Sequence, residues 1–224
     1  MSPGEPRAKG RLRRLEAPAG EPLRSDDALA RAADALREGA VLVHPTSTVY
    51  GLGAITAAGD EAIARLKRRE PGHPFLRLAA DVASLRAAHP GLAWDERAGR
   101  LAARFWPGGL TVVLPDGPGR TLGVRVEAYP VTRALLEQLG PVTMSSTSVN
   151  ASGEPAARTA AEVTAFLDAA PSPSRPVVFL DAGDLPPSRP STVVSLVDRP
   201  GRLLRAGAVP VADIEAALGA ELDR

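Results

Sequence analysis

Short apolar runs, each stopped by glycine, proline or a polar turn, recur along this chain: "AVLVH", "FLRLAAD", "LTVVLP", "LGVRV", "PVTMSST", "PVVFLDA" and "STVVSLV". Runs of this length, rich in valine and leucine, read as buried strands. Helical patterns lie between them. Ser25, Asp26 and Asp27 form a capped start, with the acids at the positive end of the helix dipole, and Leu29, Ala32, Ala33 and Leu36 share one face before Gly39 ends the helix. "GDEAIARLKRRE" reads as a second helix, and others are expected near 95–104, 131–139, 159–168 and 210–222. The alternation is looser than the strict βαβ spacing of a doubly wound sheet. The expected fold is therefore α/β, a twisted mixed sheet with surrounding helices.

Apolar residues make up 44% of the 224, enough for a sizeable core, but aromatics are only 4%, so aliphatic side chains must fill it. The formal charge is +1, from 27 basic and 26 acidic residues, a balance that neither demands nor excludes nucleic acid. With no cysteine, thiolate catalysis, disulfides and cysteine-ligated metals are excluded; the histidines, at 44, 73 and 89, are too scattered for a metal cage. Neither an apolar leader nor a membrane-length apolar run is visible, so a cytoplasmic protein with no membrane partner is expected. Residues 1–24, with "RAKGRLRR", read as a flexible basic tail ahead of a single domain over residues 25–224.

Polar clusters stand at the ends of the apolar runs: "PTSTVYGLG", "LKRREPGHPF", "SSTSVNASGEP" and "PSTVV", joined by Arg125 in "LGVRV" and Arg205 in "LLRAG". Taken singly, such residues satisfy turns or pair with surface carboxylates. Taken together, hydroxyls, an asparagine and several cations without an acid cluster suit the holding of an anion, as phosphoryl or nucleotidyl transfer requires. Neither GxxxxGK[ST] nor GxGxxG is present, so any nucleotide site is of another kind.

The order of these segments, above all "FWPGGLT" and "STSVNASGEP", resembles the YrdC/YciO family over residues 26–215. The resemblance implies a twisted α/β sheet around a concave basic cavity. It also implies synthesis of threonylcarbamoyl-AMP and pyrophosphate from L-threonine, bicarbonate and ATP, for the threonylcarbamoyladenosine modification of tRNA. By motif position, Thr46 contacts threonine and Arg125 pairs with its carboxylate, helped by Ser146 and Ser191. Ser148 and Asn150, the S-x-N pair, sit at the ATP phosphates, and Arg205 supports the nucleotide. Lys67 and Arg69, the K-x-R pair, face the triphosphate, with His73 beside them. Mg²⁺ is expected through the ATP phosphates alone. tRNA or double-stranded RNA and downstream threonylcarbamoyl-transfer proteins are the implied partners. A short, single-domain form is implied.

The chain departs from the family pattern in four places. Ser47 stands where the first motif has an acid, His73 replaces a lysine, the segment before "HPF" is short, and Leu78 takes a histidine's place. "PGHPF" is similar to the YciO branch, although that branch often lacks the S-x-N pair kept here. Three other readings stay open: a YciO-like paralogue acting on nucleotide or modified tRNA, a carbamoyl-transfer module, and a non-catalytic double-stranded RNA-binding protein.

Overall fold

The computed structural model describes residues 12–16, 26–69, 74–151 and 153–224. Among the described residues, ten strands are interleaved with seven helices: β1 (Leu12–Glu16), α1 (Asp26–Arg37), β2 (Val41–Pro45), β3 (Tyr50–Gly53), α2 (Ala57–Leu66), β4 (Leu76–Ala79), α3 (Val82–Ala88), α4 (Glu96–Phe105), β5 (Leu110–Pro115), β6 (Thr121–Val126), α5 (Pro130–Leu139), β7 (Met144–Ser148), α6 (Ala160–Ala169), β8 (Val177–Asp181), β9 (Thr192–Ser195), β10 (Arg202–Arg205) and α7 (Val211–Leu218). The strands join in the order β1-β8-β2-β3-β7-β4-β6-β5-β9-β10, with parallel and antiparallel pairs mixed, as the looser alternation predicts.

The continuous apolar runs are explained by burial on both faces. Side chains alternate along a strand, so Val41 and Val43 of β2 enter one core while Leu42 enters another, and Val177 and Phe179 of β8 alternate with Val178 and Leu180 in the same way. On one face α1 and α5 cover the sheet through Leu29, Leu36, Leu135 and Leu136. On the other, Ile63 of α2 and Val163 of α6 pack on Tyr50, Leu52 and Phe179. A third cluster joins α3, α4 and α7 to β5, β6 and β9 through Leu85, Leu101, Ile214, Val112 and Val124.

Local signals set the helix starts. Thr56, Asp81 and Asp95 each accept a backbone N–H as caps of α2, α3 and α4, and Thr159 with Glu162 forms a capping box on α6. The sequence reading began the second helix at Asp60, but Thr56 starts it a turn earlier. It passed over α3, whose short apolar face rests on a single buried leucine. The largest correction concerns the basic segment. Residues 12–16, read as part of a flexible tail, form β1 at the sheet edge, in parallel register with β8 from Leu12↔Val177 to Glu16↔Asp181. Ser25 lies outside the described residues. Among the described residues, no helix is long and apolar enough to cross a membrane.

The turn at "RAG" after β10 packs against the start of β9, where Gly207 meets main chain. A Cβ there would stand 2.2 Å from Pro190 O and 2.5 Å from Thr192 N, and neither backbone atom can step aside as a side chain does. Gly207→Ala is expected to cost about 1–3 kcal/mol of stability, and to loosen the neighbouring Ser191. Chemical denaturation measures the first effect; an unchanged midpoint would show that the turn yields.

Candidate active site

The polar clusters meet in one cavity of about 470 Å³. Of the residues singled out from the sequence, Thr46, Arg69, Arg125, Ser146, Ser148, Asn150, Ser191 and Arg205 line it. Its ionisable lining, among the described residues, is three arginines and Glu154, which makes the cavity electropositive. Lys67 takes a different place, and His73 lies outside the described residues.

The first wall is the turn after β2. Thr46 Oγ1 donates to Val49 O at 2.6 Å and accepts from the N–H groups of Thr48 and Val49, both at 3.1 Å. These three bonds engage its one proton and both lone pairs, and Thr48 Oγ1 also lies 3.1 Å away. The hydroxyl-rich "TST" thus closes its own loop, and Thr46 spends its proton on the backbone rather than keeping it for a ligand.

Beneath that turn lies an ion pair that the sequence reading missed. Arg125 of β6 and Glu127 just beyond it are both buried, and Arg125 Nη2 donates to Glu127 Oε2. Glu127 Oε1 also accepts from the N–H groups of Ser47 at 2.9 Å, Ala128 at 2.9 Å and Tyr129 at 3.0 Å. Burial alone would raise the carboxyl pKa, but Arg125 and the N–H donors outweigh it and hold Glu127 below the usual carboxylate range. Glu127 therefore puts a carboxylate under Ser47, the position at which the first motif lacks its acid. Arg125 Nε is buried without a protein partner and belongs to a residue of the cavity wall. The available signal was an acid two residues after an arginine in an apolar strand, which places both on one face.

Arg205 of β10 donates to Ser191 O at 3.1 Å and to Ser191 Oγ at 2.9 Å, and Ser191 Oγ also lies 3.1 Å from Thr111 Oγ1. Burial, with Arg125 adding repulsion, lowers the pKa of Arg205, although a guanidinium stays charged at neutral pH. On the opposite side Ser148 Oγ donates to Asn150 Oδ1 at 2.6 Å, and Asn150 Nδ2 donates to Glu154 O at 2.6 Å.

Lys67, expected to face the triphosphate, sits behind this segment. Its ammonium donates to Ser148 O at 2.6 Å, Asn150 O at 2.8 Å and Asn150 Oδ1 at 2.9 Å, which occupies all three of its protons. Lys67 is the C-cap of α2, and Arg68 follows in the left-handed region at φ 49°, so the chain reverses direction within the K-x-R segment. That turn carries Arg69 to the cavity and over the Phe75 ring at 4.7 Å. Burial, then repulsion from Arg69, pulls the Lys67 pKa down to about 8.

Comparison with known proteins agrees with this geometry. The Sua5/YciO/YrdC family, described as "Telomere recombination", matches residues 34–207. The chain belongs to this family. It is 34% identical over 208 residues to threonylcarbamoyl-AMP synthase of Bacillus subtilis, covering 87% of this chain and 58% of that protein. It is 38% identical over 182 residues to the synthase of Chromohalobacter salexigens, covering 76% of this chain and 93% of that one. Among solved structures, P. abyssi Sua5 complexed with L-threonine superposes with a TM-score of 0.79 at 30% identity, over 96% of this chain and 62% of that chain. This family member thus spans little more than half the length of the Bacillus relative.

The buried ion pair yields a stability test. Arg125→Met or Glu127→Leu alone leaves an uncompensated buried charge, and each is expected to cost about 3–5 kcal/mol. The double variant should cost clearly less than the sum in urea titrations; additive losses would mean that the two charges are not coupled. His44 sets an acid limb. Burial, against the pull of Glu127, lowers its pKa from 6.5 to about 4. Between those values the unfolded chain binds a proton that the folded chain refuses, so stability falls as pH falls, by about 1.4 kcal/mol per pH unit for this one group. His44→Phe should flatten that slope, read from denaturation midpoints between pH 7 and pH 4.

Proposed function

We propose that this family member makes threonylcarbamoyl-AMP and pyrophosphate from L-threonine, bicarbonate and ATP, for transfer onto tRNA adenosine by downstream proteins. The observation that supports this best is the shared cavity. Groups suited to an amino acid (Arg125, Ser146, Ser191) and groups suited to phosphates (Arg69, Ser148, Asn150, Arg205) line one space, without a cysteine or an acid–base pair. The synthases of B. subtilis and C. salexigens and the threonine complex of P. abyssi Sua5 point the same way.

The chemistry needs little more than that inventory. The threonine amine and bicarbonate condense to a carbamate with loss of water. A carbamate oxygen then attacks the α-phosphorus of ATP, the bond to the β,γ-diphosphate breaks, and pyrophosphate leaves. No side chain has to act as nucleophile. The protein holds two anions in attacking geometry and keeps water from a labile anhydride. Arg125, braced by Glu127 in the cavity wall, pairs with the threonine carboxylate, a pairing suited to a guanidinium. Arg69 and Arg205 neutralise the charge that develops as pyrophosphate departs. Asn150, held by Ser148 and Lys67 through its Oδ1 and by Glu154 O through one Nδ2 proton, keeps its second Nδ2 proton for the phosphates. Mg²⁺ would arrive with the nucleotide and neutralise its phosphates. The lining, rich in guanidinium and hydroxyl groups, fits the anion rather than a bare cation.

Pyrophosphate release from ATP, measured in bicarbonate buffer with and without L-threonine, tests this reading. Release that requires both threonine and bicarbonate is expected; ATP binding without threonine-dependent release would overturn the proposal in favour of a YciO-like role. Arg125→Lys keeps a cation over Glu127 but loses the fork. It should raise the threonine KM about tenfold, the cost of one charged hydrogen bond, with little change for ATP. Equal effects on both would remove Arg125 from the carboxylate.

A further inference from the structure

His44 takes no part in the chemistry above, yet it stands directly behind the cavity wall. It lies in β2, fully buried, opposite Gly51 of β3. Its Nδ1 is 3.3 Å from Pro45 O and its Nε2 is 3.3 Å from Ser146 Oγ. A carbonyl oxygen carries no proton, so Nδ1 is the donor in the first contact. Burial keeps the ring neutral at ordinary pH, and a neutral imidazole has one donor nitrogen, so Nε2 carries the lone pair. Ser146 therefore gives its proton to His44.

That assignment removes a choice that a serine normally has. A free hydroxyl turns to donate or accept as its partner requires. With its proton held by His44, Ser146 has only lone pairs to present to the cavity it lines. The arrangement is built for close contact: a Cβ at Gly51 would lie 2.8 Å from His44 Nε2 and 3.0 Å from Ser146 Oγ. The second partner of Pro45 O, Thr132 Oγ1 at 2.5 Å, is also a donor, as a carbonyl with two lone pairs allows.

We infer that His44 fixes Ser146 as a hydrogen-bond acceptor, so that Ser146 takes the α-amino group of the amino-acid substrate and repels a carboxylate oxygen. This rests on the reading of the cavity as an amino-acid site. It moves Ser146 from the carboxylate, where the motif resemblance put it, to the amine, and leaves the carboxylate to Arg125. The two ends of the substrate are then sorted by opposite hydrogen-bond polarity. His44 touches no ligand and acts through Ser146, as a positioning residue. The cavity should accordingly discriminate against a substrate of the same skeleton that lacks the amine.

Two measurements test this separately. The first is ¹⁵N NMR of the unliganded protein labelled at histidine. The three histidines are few enough for His44 to be assigned by its loss in His44→Phe or His44→Gln. A protonated Nδ1 and an unprotonated Nε2 are expected; a proton on Nε2 would overturn the inference whatever the protein binds. The second is calorimetry with L-threonine and with (R)-3-hydroxybutyrate, which lacks the amino group. His44→Phe should weaken threonine binding about tenfold, the size of one hydrogen bond to a charged group, and change 3-hydroxybutyrate by less than about twofold. His44→Gln, which restores an acceptor near the Nε2 position, should recover part of the loss. Equal weakening of both ligands would mean a merely structural histidine and sink the amine assignment. If the unaltered protein binds no threonine while Nδ1 is protonated, the synthase reading fails and the acceptor polarity of Ser146 stands.

Discussion

The buried pair of Arg125 and Glu127 is the constraint around which the site is arranged. A lone guanidinium sealed under the turn after β2 would be costly, and a lone carboxylate equally so. Each is tolerable because the other is there and because three backbone N–H groups complete the carboxylate's shell. One of those N–H groups belongs to Ser47, so the same carboxylate ties β6 to the hydroxyl-rich turn. The pair thus places an arginine and a loop relative to each other. Replacing the pair with apolar residues would satisfy the core and remove a guanidinium from the cavity wall.

A second consequence follows from the neutrality of the pair. With Arg125 balanced by Glu127, the cations of the cavity wall left without a carboxylate beside them are Arg69, which follows α2, and Arg205 of β10. Lys67 adds its ammonium from behind, through the oxygens of Ser148 and Asn150. The cavity wall is therefore positive on balance.

Hydrogen-bond direction is the other organising principle. Thr46, Thr48, Ser146 and Ser148 are all hydroxyls near the cavity, and by residue type they are interchangeable donors and acceptors. The structure makes them unlike one another. Thr46 spends its proton on Val49 O, Ser148 on Asn150 Oδ1, and Ser146 on His44. What remains at each position is a particular set of lone pairs, decided by neighbours that carry no proton of their own.

The fold was legible in the sequence because its signals are local. Apolar runs such as "AVLV" must be covered on both faces, glycine and proline end them, and Thr or Asp caps begin α2, α3, α4 and α6. The clustering of hydroxyls and arginines at strand ends likewise marked residues that line one cavity, and the segment order announced the family. β1 escaped notice because a strand at the sheet edge, in a stretch rich in arginine, needs a partner before it is a strand, and β8 lies far along the chain. The roles within the site were decided only by tertiary contact. Ser47 meets Glu127 across 80 residues, Lys67 meets Ser148 across 81, and His44 meets Ser146 across 102. Residue type determines which groups can donate or accept; sheet register determines which groups meet, and therefore where each proton and each charge finally points.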